Sequence, residues 1–457
     1  MPANLTSDTA GALSIVPVTT ATLPAWLGAL NPHERDWLKT TAFVADPGSF
    51  AFLPARDGKE ARVIAGISPS ESVWAYAGFP ASLPEGKYRI DSPLDRNAAT
   101  DAAQGWALGS YAFTRYKAAK RAFATLVWPP EADRAEVERV TRGVFLARDL
   151  INTPAEDMGP DELAAAAREL ARDAGATCTV IRGDDLLRAN YPTIHAVGRA
   201  SSRPPSLIDI RWGDPSAPKV TLVGKGVCFD SGGLDLKPAA MMLNMKKDMG
   251  GGAVVLGLAS ALMSAGAPIR LRVLVPAVEN AVSSNSIRPR DIVRTRSGKT
   301  VEIGNTDAEG RLILCDALTE ADTEAPALIV DCATLTGAAR IALGPELQAL
   351  FCNDDAVAEG LLHAGVAAGD PLWRMPLWQP YRRLIDSKVA DFNNVSDAGY
   401  AGAVIAAVYL AEFVGAATPW AHIDMFGFNA KDRPGRPEGG EATGLRAVYR
   451  YLRERFG

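Results

Sequence analysis

Histidine is scarce in this chain of 457 residues: four are present, at positions 33, 195, 363 and 422. None stands in a pair spaced to share a metal ion, so a hydrolytic metal site in this chain must be built mostly from oxygen. Cysteine is almost as rare. The five residues Cys178, Cys228, Cys315, Cys332 and Cys352 are scattered, odd in number and without metal-type pairs. They read as reduced, mostly buried thiols of a cytoplasmic protein. Charge of one sign is also lacking. The net charge of -5 is small for this length, and no clustered Lys/Arg stripe interleaved with aromatics is present, which argues against nucleic-acid binding. The one long apolar run, residues 401–411, is interrupted by Glu412 and is too short to span a bilayer, so it reads as a buried helix and no membrane association is expected. The N-terminus has no basic region followed by an apolar core, so no signal peptide is expected. No repeat or low-complexity tract occurs.

What is present is concentrated. Asn305-Thr306-Asp307-Ala308-Glu309-Gly310-Arg311-Leu312 packs two carboxylates, a guanidinium and a glycine into eight positions, then runs into an apolar, helix-like stretch. Acids at i and i+2 face one point only where the backbone is extended or turning. A cation two residues on can hold an anion beside whatever the acids bind. A second cluster lies upstream: Lys225, Asp230-Ser-Gly-Gly233, Lys237, and Asp248 followed by Gly250-Gly-Gly252. The Gly224-Lys-Gly226 triplet within it is neither a dinucleotide fingerprint nor a phosphate loop.

The length suggests two domains, taken here as residues 1–140 and 141–457 with a connecting helix at about 131–151. In the first, residues 51–53, 62–65 and 74–77 read as strands and 114–127 as a helix. In the second, strand-like runs at 177–181, 207–211, 220–223, 270–276, 328–330 and 422–425 alternate with helical segments at 161–174, 252–264, 312–320 and 402–414. That alternation predicts an α/β fold: a smaller N-terminal α/β domain joined by a helix to a larger domain with a mostly parallel sheet flanked by helices. Lys225 then falls just past a strand, where open α/β sheets collect ligands.

Taken together, the two clusters resemble the leucyl (cytosol) aminopeptidase family of two-metal exopeptidases. The likeness covers Lys225, Asp230, Lys237 and Asp248 in order, and the whole Asn305–Leu312 signature. It extends to Glu279-Asn280, Ala333-Thr-Leu-Thr-Gly337, Asn394 and His422-Ile-Asp424, over roughly residues 145–450. The resemblance implies two divalent ions, Zn²⁺ or Mn²⁺ or else Mg²⁺, held by Lys225, Asp230, Asp248, Asp307 and Glu309. It implies Lys237 and Arg311 as catalytic residues, with a bicarbonate near Arg311, and a first-residue pocket formed by Met245, Thr334, Leu335 and Gly337. Short peptides are the implied substrates, and a homo-hexamer the implied assembly. Four carboxylates cancel two dications and leave Lys237 and Arg311 as excess positive charge, which suits a hydroxide and one small anion. A lysine ligand has to be the neutral amine. Asp235 departs from the family pattern; its carboxylate is expected to tune Lys237 or to point to solvent. The rival readings are a DNA-binding or structural role, and a different two-metal hydrolase such as a phosphoesterase.

Overall fold

The computed structural model describes residues 4–54, 60–119 and 121–457. It separates into two compact units, one of residues 1–142 with 430–438, the other of residues 143–429 with 439–457. The return of 430–438 to the first unit is an excursion that no feature of the sequence marked.

The first unit is built on a six-stranded sheet in the order Leu5–Thr6, Thr125–Val127, Lys87–Ile90, Leu13–Val18, Glu60–Gly66, Phe50–Pro54. All pairings are parallel except the last. Ile15, Val63, Phe79, Tyr88, Trp106 and Leu126 form its core. Two expectations fail here. Residues 74–77 are not a strand: Trp74 ends the 3₁₀ helix Pro69–Trp74 and the chain then turns. A short apolar run does not by itself distinguish a buried strand from a buried turn. Residues 114–127 are not a helix: among the described residues this stretch is irregular until the strand Thr125–Val127. Tertiary pairing overrides the helical propensity of its alanines and lysines. Leu126 pairs with Leu5 and Tyr88, and the Trp106 indole donates to the Ala124 carbonyl at 3.0 Å.

The helix Arg134–Asn152 leads out of this unit. The second unit holds a nine-stranded sheet whose centre runs Trp420–Asp424, Leu328–Ala333, Lys219–Gly224, Arg270–Asn280, with neighbours parallel. Ser206–Trp212 and Thr177–Arg182 extend one edge antiparallel, and Gln348–Cys352 begins the other. The mostly parallel sheet is therefore as expected. Its strands are near-continuous apolar runs because both faces are covered. Side chains alternate between the faces: Leu274 and Val278 of one strand join Val223, Leu312 and Leu318 in one cluster, while Val273, Val275 and Ala277 point the other way and are equally buried. Gly250–Ser264 is buried along almost its whole length, and Gly402–Ala411 is buried from Ala403 to Leu410. Such all-round apolar helices belong inside a large domain.

Parallel pairing sets the C-terminal ends of three strands side by side, since Cys332 pairs with Gly224 and Ala333 with Asp424. Lys225, Thr334 and Phe426 come just after these strands at this edge, whereas the Asn305–Leu312 signature follows the strand Thr300–Glu302 of a separate three-stranded sheet.

Candidate metal and peptidase site

Lys225 follows the strand Lys219–Gly224 directly, and its backbone is tied on both sides. Its N–H donates to the Cys332 carbonyl at 3.0 Å, and its carbonyl accepts from Gly252 at 2.8 Å. Close approach of the glycine run makes this possible: a Cβ on Gly251 would stand 2.0 Å from the Cys332 oxygen. The Lys225 ammonium lies 2.7 Å from Asp248 Oδ2 and 2.9 Å from Glu309 Oε1, and donates to the Thr334 carbonyl at 2.9 Å. Asp248 sits in the single 3₁₀ turn Met245–Met249, where Thr334 Oγ1 holds its other oxygen at 2.7 Å.

Asp230 ends the strand Gly226–Asp230. Its Oδ1 accepts from Asn280 Nδ2 and from the Gly232 amide, both at 2.9 Å, leaving Oδ2 toward Lys237 Nζ at 2.8 Å. Lys237 also contacts Asp307. Gly232 adopts φ +89°, and a Cβ there would stand 2.5 Å from the Asp235 carbonyl and 3.1 Å from Asp307 Oδ1. Only glycine makes that turn beside the carboxylates.

The signature lies across a turn and a helix start. Asp307 is in the turn, and Glu309 and Arg311 belong to the first turn of the helix Glu309–Asp322, one turn earlier than the sequence suggested. A carboxylate at a helix N-terminus is favoured by the unpaired amides there. Asn394, fully buried, braces the loop: its Oδ1 accepts from Gly304 at 2.8 Å and from Asn305 at 3.2 Å, and its Nδ2 donates to Asn305 at 2.7 Å. Arg311 Nη1 donates to the Asn394 carbonyl at 2.6 Å. Asp235 is exposed, but its carboxylate is engaged. It accepts from the Thr306 amide at 2.7 Å while its own amide donates to Thr306 Oγ1 at 2.9 Å, so it fastens the signature loop.

Burial sets the electrostatics. It raises Glu309 to about 8 and Asp307 to about 6, in both cases with help from the Asp230 charge. Burial alone would lower Lys225, but Asp248, Glu309 and Asp230 outweigh it and hold the ammonium well above its usual range. Lys237 is raised in the same way by Asp230 and Asp307. Burial lowers Lys247 to about 8 and also lowers Arg311.

Lys225, Asp230, Lys237, Met245, Asp248, Asp307, Arg311, Thr334, Leu335 and Gly337 line one cavity of about 440 Å³. Glu309 lies behind them, with one carboxylate oxygen each from Asp230, Asp307 and Glu309 within 4.8 Å of one another. All eleven residues expected from the sequence therefore converge. Lys247, Arg340, Val395 and Phe426 line the same cavity and were missed; no spacing marks them, because each comes from a separate loop or helix. The donor set fits divalent cations. Glu309 Oε1 and Oε2, Asp248 Oδ2 and Asp307 Oδ1 are buried without a well-aligned hydrogen bond. Their lysine contacts are short in distance but not directed as hydrogen bonds, and buried carboxylate oxygens of that kind call for a cation.

Residues 145–449 match the family model described as "Cytosol aminopeptidase family, catalytic domain", and residues 13–129 match "M17 aminopeptidase, N-terminal domain". The chain belongs to the cytosol aminopeptidase family. It is, as a member, a hydrolase and a metal-dependent aminopeptidase. The cytosol aminopeptidase of Coxiella burnetii shares 48% identity and superimposes with a TM-score of 0.95, each chain covered over 100% of its length. A protein of Syntrophotalea carbinolica described as "Probable cytosol aminopeptidase" is 43% identical over 373 residues, which is 77% of this chain and 74% of that one. The bottromycin maturation enzyme BotP in complex with Mn is 35% identical, with a TM-score of 0.89 over 98% of this chain and 100% of that chain. Among the described residues no helix is long and apolar enough to cross a membrane.

Proposed function

We propose that this aminopeptidase releases the N-terminal residue from short peptides at a dinuclear centre held by Lys225, Asp230, Asp248, Asp307 and Glu309. The observation that carries this reading is the buried set of carboxylate oxygens from Asp230, Asp307 and Glu309, with Asp248 beside them. Two divalent ions, Zn²⁺ or Mn²⁺ or Mg²⁺, supply an acidified water and a Lewis acid when bound. Lys225 joins as a ligand only as the neutral amine, so its proton leaves on loading.

The chain's own groups do the rest. The carboxylate-rich end at Asp248 receives the free α-amine, which limits cleavage to chain ends. Lys237 keeps its proton and donates it as a hydrogen bond to the carbonyl oxygen as that oxygen becomes tetrahedral and negative. Arg311, whose Nε is buried and without a hydrogen bond, holds a small anion such as bicarbonate. Such an anion, held by Arg311, would supply a base for the attacking water and an acid for the leaving amine. Met245, Thr334, Leu335 and Gly337 border the first residue's side chain. Residues 141–457 carry this chemistry, while 1–140 serve assembly into a hexamer in the cytoplasm.

Lys237→Ala and Arg311→Ala test the roles. Both are expected to retain metal stoichiometry and lose most turnover, on the order of 10²-fold or more. Wild-type rates in both variants would remove Lys237 and Arg311 from the mechanism.

A further inference from the structure

Five cations line the cavity: Lys225, Lys237, Lys247, Arg311 and Arg340. Three of them have clear engagements. Lys225 faces Asp248 and Glu309, Lys237 faces Asp230 and Asp307, and Arg311 donates to Asn394. The side chains of Lys247 and Arg340 make no ion pair or hydrogen bond with a described residue. Both instead pack on the ring of Phe426. The Lys247 ammonium lies 4.8 Å from its centroid and the Arg340 guanidinium carbon 5.0 Å. Lys247 is only 5% exposed. An ammonium so far removed from water without a carboxylate of its own is costly, and one aromatic face compensates only part of that.

We propose that Lys247 and Arg340 form an acid-recognising subsite in the first-residue pocket, so that the enzyme favours peptides beginning with Glu or Asp. A carboxylate on the first side chain would supply the missing anion, and both cations pack on Phe426 in the wall of the same cavity. The proposal rests on the assignment of Met245 and Thr334 to the first residue made above, because Lys247 and Arg340 share their cavity. It gives the first-residue pocket an apolar border at Met245 and Leu335 and a cationic end. Arg340 is solvent-exposed and Lys247 is not, so Lys247 contributes more per contact.

The test uses the full-length, metal-loaded protein and p-nitroanilides of Glu, Gln, Asp and Leu, which lack a C-terminal carboxylate. The expected result is a kcat/KM for Glu above that for its isostere Gln by about tenfold or more, the usual scale for a hydrogen bond to a charged group. Lys247→Met lowers the Glu/Gln ratio toward one, and Arg340→Leu lowers it less. Arg340→Glu, at an exposed position that folding tolerates, turns the preference away from acidic residues even if the Lys247 variant fails to fold. A Glu/Gln ratio of one or less in the wild type overturns the proposal. So does a ratio unmoved by both variants, or a Lys247→Met effect seen only with dipeptides, which would assign the cations to the peptide C-terminus. If Leu is cleaved and Glu is not favoured, only this subsite fails. If no anilide with a free amine is cleaved, the dinuclear aminopeptidase reading fails with it.

Discussion

Gly310 separates stability from function in a way that can be measured. It is the second residue of the helix Glu309–Asp322, and replacing glycine by alanine within a helix ordinarily stabilises by about 1 kcal/mol. Here the new Cβ would stand 2.6 Å from Lys225 Cε and 2.8 Å from both Cδ and Nζ. Carbon atoms pack at about 3.5 Å or more, so the lysine tip must retreat by about 0.9 Å. That tip is the flexible end of a side chain and can give way, so Gly310→Ala should leave the melting temperature close to wild type. The retreat strains the contacts to Asp248, Glu309 and the Thr334 carbonyl. A misplacement of about 1 Å in a catalytic constellation costs about 10²-fold. Thermal unfolding, metal content by atomic emission and turnover of a free-amine dipeptide, all on one preparation, decide the matter. Wild-type turnover with normal metal content would show that Lys225 is not held where this account needs it. A folded protein that turns over slowly or binds metal weakly is the expected result.

Asn394→Ala removes the acceptor of two backbone amides and the donor to Asn305. We expect a loss of about 2–3 kcal/mol in denaturant unfolding together with reduced activity, since the signature loop loses its brace. Asp331 is fully buried and accepts from the Trp420 indole at 2.6 Å while meeting His422 Nδ1 at 2.6 Å. An amide oxygen can serve only one of them, so Asp331→Asn should destabilise by about 2–4 kcal/mol. Metal-stripped protein should lose stability as pH rises. Glu309 is raised from 4.5 to about 8, so the folded chain holds a proton that the unfolded chain releases. That contribution is present below the unfolded value and is lost as pH climbs through the folded one. Denaturant midpoints read across that range should fall in stripped wild type and flatten in Glu309→Gln.

The site was legible because its chemistry is written in contiguous letters. Asp307, Glu309 and Arg311 sit within five positions, and Lys225, Asp230, Lys237 and Asp248 fall within one stretch that begins at the end of the strand Lys219–Gly224. The helix Glu309–Asp322 joins the two, because its Leu312 and Leu318 pack in one cluster with Val223 at the end of the strand Lys219–Gly224. The strands of the second unit were legible because burial on both faces leaves apolar runs such as Val273–Val278. The first unit was legible only in part: residues 51–53 and 62–65 are strands as expected, whereas 74–77 and 114–127 are not what their composition suggested. Its residues 114–124 carry helix-forming alanines and lysines but connect to a strand, and only the partners of Leu126 decide that. Lys247, Arg340 and Phe426 were invisible because their meeting depends on three separate segments, and nothing in sequence says that a buried lysine lacks a carboxylate. Asp235 was noticed but its role was not, because the Thr306 amide it accepts lies 71 residues away.

The central claim is tested most directly by stripping the protein with chelator, reloading it with Mn²⁺ or Zn²⁺, and following release of the first residue from Xaa-Gly dipeptides and their N-acetylated forms. Cleavage that returns with metal and spares every acetylated peptide is the predicted result. Metal bound at Asp230, Asp248, Asp307 and Glu309 with no hydrolysis of either series, or equal hydrolysis of both, would contradict it.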